Sequence, residues 1–417
     1  MSSQTFQLRA RWIVPVASPP IEGGHVLVDH GVIRRVESTA LGGVPVTDLG
    51  DVILTPGFVN AHTHLEMTRF RGLLEPAPLW PWLNAQLQLR RQPGAAEAMD
   101  AAVAEGAAES LAHGVTCVGD ISRTARHVRR LSRSPIRSVC FCELISGAAD
   151  KPSSAAELAG TMAEFDALNL PQQTRLGVSP HAPYTVTGED LAACVKLAAK
   201  RPCPLTIHAL ETTEERDWML VGNAFLQGLL ESFKLPSAKI DEKRGVLAWL
   251  GWHGVLRPGS LLAHVNYIDD AGLKMLSGSG AGVVWCPRAH AYYGHVNHRW
   301  REMLALGIPV CIGTDSAPAS GTLSILDELR YLRQHAPEIP AETLLALGTR
   351  SGAAALGLAD LIGALTPGRR ADIAATPWDS AGPNEPCTNL LEGRHVPVGT
   401  WVNGIRVWPT HAEVNED

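Results

Sequence analysis

The sequence predicts an α/β fold, a (β/α)8 barrel joined to a small composite β-sandwich domain. Three observations carry this. From Leu54 onward, eight short apolar or β-branched runs alternate with longer Ala- and Leu-rich stretches, the pattern of repeated β-α units on a parallel sheet. Both ends of the chain read instead as β hairpins. A length of 417 residues exceeds one minimal domain but suits a barrel of about 250 residues with a smaller companion.

In chain order, residues 24–33 form the first hairpin, turning at Asp29-His30-Gly31. The barrel runs follow at 52–62, 114–119, 138–145, 175–180, 204–209, 260–265, 282–286 and 308–313, and eight is the number that closes a TIM-type barrel. Between them, residues 96–113 read as a helix stopped by Gly114, and 188–201 as one started by Thr187, with Asp190 at capping-box spacing. The interval 214–252 is too long for a plain connection and reads as a helical insertion over the barrel mouth. Residues 400–407 close the chain as a hairpin turning at Asn403-Gly404. The expected division is a barrel over 56–365 and a composite β domain from 1–55 and 366–417.

Composition narrows the function. No run approaches the roughly 18 apolar residues of a membrane helix. The net charge of -6 comes without long blocks of like sign, which argues against a nucleic-acid partner and for a small-molecule substrate. The first twenty residues carry only a short apolar core broken by Pro15, too short for a secretory signal, so a cytoplasmic location is expected. Eight Cys residues include no C-x-x-C pair and read as buried free thiols.

The chemistry begins at Asn60-Ala61-His62-Thr63-His64. Residues two apart on a strand face the same way, so both imidazoles can point into the barrel mouth. Alone, such a pair is a weak signal. Three further runs, however, also end in candidate ligands: His208 on the fifth, His264 on the sixth and Asp315 after the eighth. They share the C-terminal end of the barrel, where such folds place catalysis. Imidazoles and a carboxylate suit Zn²⁺ or Fe²⁺ and leave room for a water whose pKa the metal lowers.

Together with Pro56-Gly57-Phe58-Val59, Ser179-Pro180-His181-Ala182-Pro183-Tyr184, Gly313-Thr314-Asp315-Ser316 and Pro367-Gly368-Arg369-Arg370-Ala371-Asp372, these motifs resemble the amidohydrolase superfamily nearly end to end, in its branch of deaminases and triazine hydrolases. The resemblance implies that His62, His64, His208 and Asp315 ligate one divalent metal, Zn²⁺ first and Fe²⁺ second. It implies His264 near the hydrolytic water and His181 in contact with substrate or water. Two-metal members carry a bridging Lys or acid on the third or fourth strand; the fourth run here has no Lys, and although Glu143 lies on the third, a single metal is expected. Members of the branch are commonly dimers, which allows a homodimer.

Glu211, three residues past His208, turns the reading toward deamination, because departing ammonia must be protonated and a carboxyl at that rim can deliver the proton. Asp315 would hold the proton of the attacking water and His264 would steer it. Segments at 64–68, 80–83, 211–218 and 323–330 are similar to the aminodeoxyfutalosine deaminases of a menaquinone pathway, implying a 6-aminopurine nucleoside derivative as substrate. The alternatives are another deaminase of the branch (adenosine, S-adenosylhomocysteine or guanine type) or a triazine-type chloro- or aminohydrolase; a barrel kept only as a binding module finds no support in a complete ligand set. Glu66 shares the parity of His62 and His64 and is expected at the substrate, with a salt bridge to Arg69 or Arg71 as the other reading. Trp82, Trp218 and Tyr184 are candidate pocket walls. The His- and Tyr-rich loop 288–298 departs from the resemblance, and its His290, His295 and His298 are candidates for substrate or metal contact.

Overall fold

The computed structural model describes residues 5–147, 152–167, 169–201, 203–232 and 245–409. Eight parallel strands follow one another around a barrel: β1 (Phe58–Thr63), β2 (Val115–Ser122), β3 (Arg137–Leu144), β4 (Thr174–Pro180), β5 (Leu205–Ala209), β6 (Ser260–His264), β7 (Gly282–Trp285) and β8 (Val310–Ile312). The seam between β8 and β1 closes past the end of β8, where Thr63 and Asp315 bridge and the carbonyl of His62 accepts the N–H groups of Thr314 and Asp315 at 3.1 Å each. Nearly all strand residues are buried on both faces, as parallel strands under a helical layer require.

The expected run 52–62 is in fact two strands in two sheets. Val52–Pro56 pairs antiparallel with Ile373–Pro377 in a six-stranded terminal sheet, and only Phe58–Thr63 enters the barrel. The break falls at Gly57, where a Cβ would lie 2.2 Å from the Thr116 side chain, so only glycine lets the chain pass from one sheet to the other. A second, four-stranded sheet holds Phe6–Arg9 and the hairpin His25–Asp29/Val32–Glu37, with His30 and Gly31 both at positive φ. Asn403 and Gly404 turn the C-terminal hairpin in the same way. Leu8, Val26, Ile33, Leu54, Ile373 and Trp401 bury the core of these terminal sheets.

The helices Ala95–Ala112 and Gly188–Lys200 match the sequence reading to within a residue. Thr187 Oγ1 accepts the Asp190 N–H at 3.2 Å, as the cap predicts. The insertion contributes the helices Thr213–Val221, Ala224–Ser232 and Val246–Trp252, while 233–244 lies outside the described residues. Leu230 from the second of these reaches the cavity at the barrel mouth. The eight Cys are free, and all but Cys203 are buried. Among the described residues no helix is long and apolar enough to cross a membrane.

Candidate active site

The C-terminal ends of β1, β5, β6 and β8 open on one cavity of about 680 Å³. His62 lies within β1 and His64 just past it; their rings meet edge to face, with centroids 5.2 Å apart. His208, from β5, stands 5.0 Å from His62 by the same measure, and His264, closing β6, stands 5.4 Å away. Asp315 Oδ1 is 3.6 Å from His64 Nε2. The donor atoms of His62, His64 and Asp315 lie within 4.8 Å of one another, and so do those of His62, His208 and His264.

Local chain chemistry explains why these side chains converge. Leu210, His264, Val265 and Asp315 all adopt positive φ at strand ends. Each such non-glycine residue costs on the order of 1–3 kcal/mol and persists where its surroundings over-determine it. Gly313 permits the β8 approach to β1, since a Cβ there would sit 2.7 Å from the His62 carbonyl oxygen and 2.9 Å from its Cβ. Asn60 locks the same seam, donating to Thr314 Oγ1 at 2.8 Å and accepting the Thr314 N–H at 3.1 Å.

Two imidazole tautomers follow from their partners. His208 Nδ1 lies 2.8 Å from the His181 carbonyl, which only accepts, so the proton sits on Nδ1 and Nε2 is the nitrogen for a cation. His181 Nδ1 lies 2.7 Å from Thr185 Oγ1, whose own hydrogen goes to the Ala182 carbonyl, and so is also protonated. His62 is the exception: it is 1% exposed, and neither ring nitrogen has a hydrogen-bond partner among the described residues. Buried polar atoms without partners are costly, and a cation at one of these nitrogens resolves that cost. The residues present therefore fit a transition metal.

The electrostatics agree. Burial, then His208 and His64, hold His62 well below the usual imidazole range, in the neutral form that ligates. Burial raises Asp315 to about 7, which a neighbouring divalent cation would reverse. Glu211 Oε1 lies 3.6 Å from His264 Nε2, and burial, with Asp315 and Glu215 after it, pushes its carboxyl well above the usual range. Glu211 is thus poised as a carboxylic acid.

Comparison with protein families matches residues 53–407 to the amidohydrolase family. The chain belongs to that family. A 5-methylthioadenosine/S-adenosylhomocysteine deaminase of Nitratidesulfovibrio vulgaris (strain Miyazaki F) is 30% identical over 380 residues, 87% of this chain and 81% of the relative. Among solved structures, an adenosine deaminase of Xanthomonas campestris with bound zinc superposes with a TM-score of 0.84 at 24% identity, covering 97% of this chain and 92% of that one. An aminofutalosine deaminase of Helicobacter pylori, in complex with methylthio-coformycin, gives 0.84 at 22% identity over 96% and 100%. At such identities the two structures establish the shared fold. The enzyme class is that of the amidohydrolase deaminases, hydrolases of carbon–nitrogen bonds in cyclic amidines.

Of the residues singled out in this amidohydrolase's sequence, His64, His208, Glu211, His264 and Asp315 line the cavity, as do His181, Tyr184 and Trp82. Glu66 does not line it. It is fully buried, and its Oε1 accepts from Arg90 Nη2 at 2.9 Å, so neither Arg69 nor Arg71 is its partner. The cavity receives Arg90 instead, whose pKa burial lowers to about 10, leaving it charged at neutral pH. Trp218 is buried in its helix and does not line the cavity. The loop 288–298 is partly the helix Pro287–Tyr292, and its histidines stand behind the site. His298 Nε2 donates to the His264 carbonyl at 2.8 Å, and His290 Nδ1 lies 3.0 Å from Asn266 Oδ1. From that loop Tyr293 faces the cavity.

Gln86, Arg90 and Arg123 were not legible as cavity residues, because nothing in a local pattern marks which side chains a folded mouth gathers, whereas Tyr293 belongs to the His- and Tyr-rich loop that the sequence singled out. Glu143 was noticed only as an acid on β3. Its carboxylate, with His181 and His208, brings donor atoms within 4.8 Å. That group would need the same His208 Nε2 as the His62 group, because Nδ1 is taken, so the two sets compete for one nitrogen.

Proposed function

We propose that this amidohydrolase is a metal-dependent deaminase that replaces the exocyclic amine of a 6-aminopurine nucleoside derivative with oxygen and releases ammonia. The observation that carries the reading is Glu211, a buried carboxyl 3.6 Å from His264 at the rim of the histidine cluster. His62, His64, His208 and Asp315 would hold one divalent ion, Zn²⁺ in the first place and Fe²⁺ in the second. When bound, the ion lowers the pKa of a water toward neutrality.

The chain's own residues do the rest. Asp315 receives the proton of the attacking water, and His264 orients that water toward the carbon bearing the amine. Glu211 delivers a proton to the adjacent ring nitrogen, Asp315 passes the proton it took from the water to the amine, and ammonia leaves as the new hydroxyl gives its proton back to Glu211, so water is added and ammonia lost in balance. His181 and Tyr184 contact the substrate, and Trp82 forms the wall. A cavity of about 680 Å³, with Leu79, Trp80, Trp82, Leu83 and Ile145 beside its polar groups, suits a nucleoside better than a bare base. The compounds named for its relatives, 5-methylthioadenosine, S-adenosylhomocysteine and aminofutalosine, therefore lead the candidates with aminodeoxyfutalosine.

The test is ammonia release from these compounds, adenosine and 8-oxoguanine by protein loaded with Zn²⁺ or Fe²⁺. At least one nucleoside should be turned over, and Glu211→Gln should lower kcat by about 10²- to 10⁴-fold. A triazine chlorohydrolase would instead release chloride and no ammonia, so the product separates the two readings. Equal rates for the variant and its parent, or no ammonia from any of the compounds, would overturn the reading.

A further inference from the structure

Glu211 sits not on a strand but on the loop after β5, where a side chain would ordinarily have freedom to wander. Its peptide is nevertheless held on all sides. The carboxylate of Glu215, itself fully buried, accepts the N–H groups of both Leu210 and Glu211 at 2.9 Å. The Glu215 N–H is in turn held by Thr212 Oγ1 at 3.1 Å, at the start of the helix Thr213–Val221. From the loop after β6, Asn266 Nδ2 donates to the Glu211 carbonyl at 3.0 Å, and the Tyr267 N–H donates to the Leu210 carbonyl at 3.2 Å. All four backbone polar groups of residues 210 and 211 are therefore engaged, which over-determines a Leu210 held at φ 51°.

Asn266 is braced in its turn. Its amide oxygen can only accept, so His290 Nδ1, 3.0 Å away, is the donor. Neither Glu215, Asn266 nor His290 lines the cavity, so none is placed to touch substrate.

We propose that Glu215 and Asn266, the latter steadied by His290, are positioning residues that hold Glu211 where it delivers its proton. This rests on the deaminase reading. The physical reason is that proton transfer needs hydrogen-bond reach in the reacting geometry, and a misplacement of about 1 Å can cost on the order of 100-fold in rate. Because the clamp holds the peptides of Leu210 and Glu211 and lies outside the cavity, it acts on kcat through the placement of Glu211.

The test uses the metal-loaded enzyme and whichever of adenosine, 5-methylthioadenosine and S-adenosylhomocysteine it turns over fastest. Glu215→Gln removes one of two acceptor oxygens, and Asn266→Ala removes the donor to the Glu211 carbonyl. Each should lower kcat by about 10- to 100-fold, with KM within about twofold and metal content unchanged. The deciding measurement is the double variant Glu211→Gln/Glu215→Gln. Residues that act as one unit are non-additive, so it should be no slower than Glu211→Gln alone. Multiplied losses, a raised KM with kcat intact, or lost metal would each overturn the proposal. Should Glu215→Gln not fold, the pair Asn266→Ala and Glu211→Gln completes the same cycle. A parent enzyme that releases no ammonia sinks the deaminase reading and this proposal with it, whereas an active parent with multiplied losses sinks only the positioning role.

Discussion

His62 concentrates the chemistry of the site in one ring. Its two nitrogens are buried with no partner among the described residues, and burial keeps the ring neutral. A cation bound only by the folded state stabilises it by mass action, by roughly 3 kcal/mol when its concentration is about 100 times Kd. Chelation should therefore lower the melting temperature, and Zn²⁺ should restore it; an unchanged melting curve would count against His62 as a ligand. Glu211 supplies the second prediction at this scale. A carboxyl raised by burial keeps its proton below the raised pKa and loses it as pH climbs through that value. The kcat/KM profile should fall on its alkaline side, and Glu211→Gln, with nothing to deprotonate there, should lack that limb.

Strand ends are the elements that assemble the site. Period-two alternation puts His62 and His64 on one face, and the end of each apolar run marks the catalytic rim, so His208, His264 and Asp315 were readable from local pattern alone. The junction of β1 with β8 was not, although its glycine was in plain view. Gly313 leaves 2.7 Å between an added Cβ and the His62 carbonyl, and that neighbour is backbone, which cannot swing away. Gly313→Ala should destabilise the protein by about 1–3 kcal/mol, and should weaken metal binding by displacing His62. Denaturant titration and metal analysis measure the two effects; a variant with parental stability and full metal content would show that the seam yields. The same limit applies to Glu66. Its spacing from His64 suggested the pocket, yet Arg90, 24 residues away in sequence, claims its carboxylate.

Across the whole molecule, the barrel is tied to the terminal sheets by a buried ion pair. Arg137, opening β3, reaches both carboxylate oxygens of Asp372, at 3.1 and 3.2 Å, and Asn403 Oδ1 at 2.8 Å; the Asn403 N–H also donates to Asp372 at 2.9 Å. Removing one partner of such a pair strands a buried charge, so Asp372→Ala should cost about 3–5 kcal/mol in equilibrium unfolding. A loss under about 1 kcal/mol, the value of an exposed pair, would contradict this assignment.

The sequence by itself determined the eight-stranded alternation, both terminal hairpins and the residues that end the strands, because these depend on short periods and turn chemistry, while the family was legible through the resemblance its motifs carry. Only the tertiary structure decided the remainder. The break at Gly57 that moves Val52–Pro56 out of the barrel depends on a neighbour in another strand. The gathering of Gln86, Arg90 and Arg123 at the mouth, and the Glu215 and Asn266 clamp behind Glu211, depend on close approaches between segments distant in the chain. Such contacts are set by packing and buried hydrogen bonding, and they leave no periodic trace in the chain.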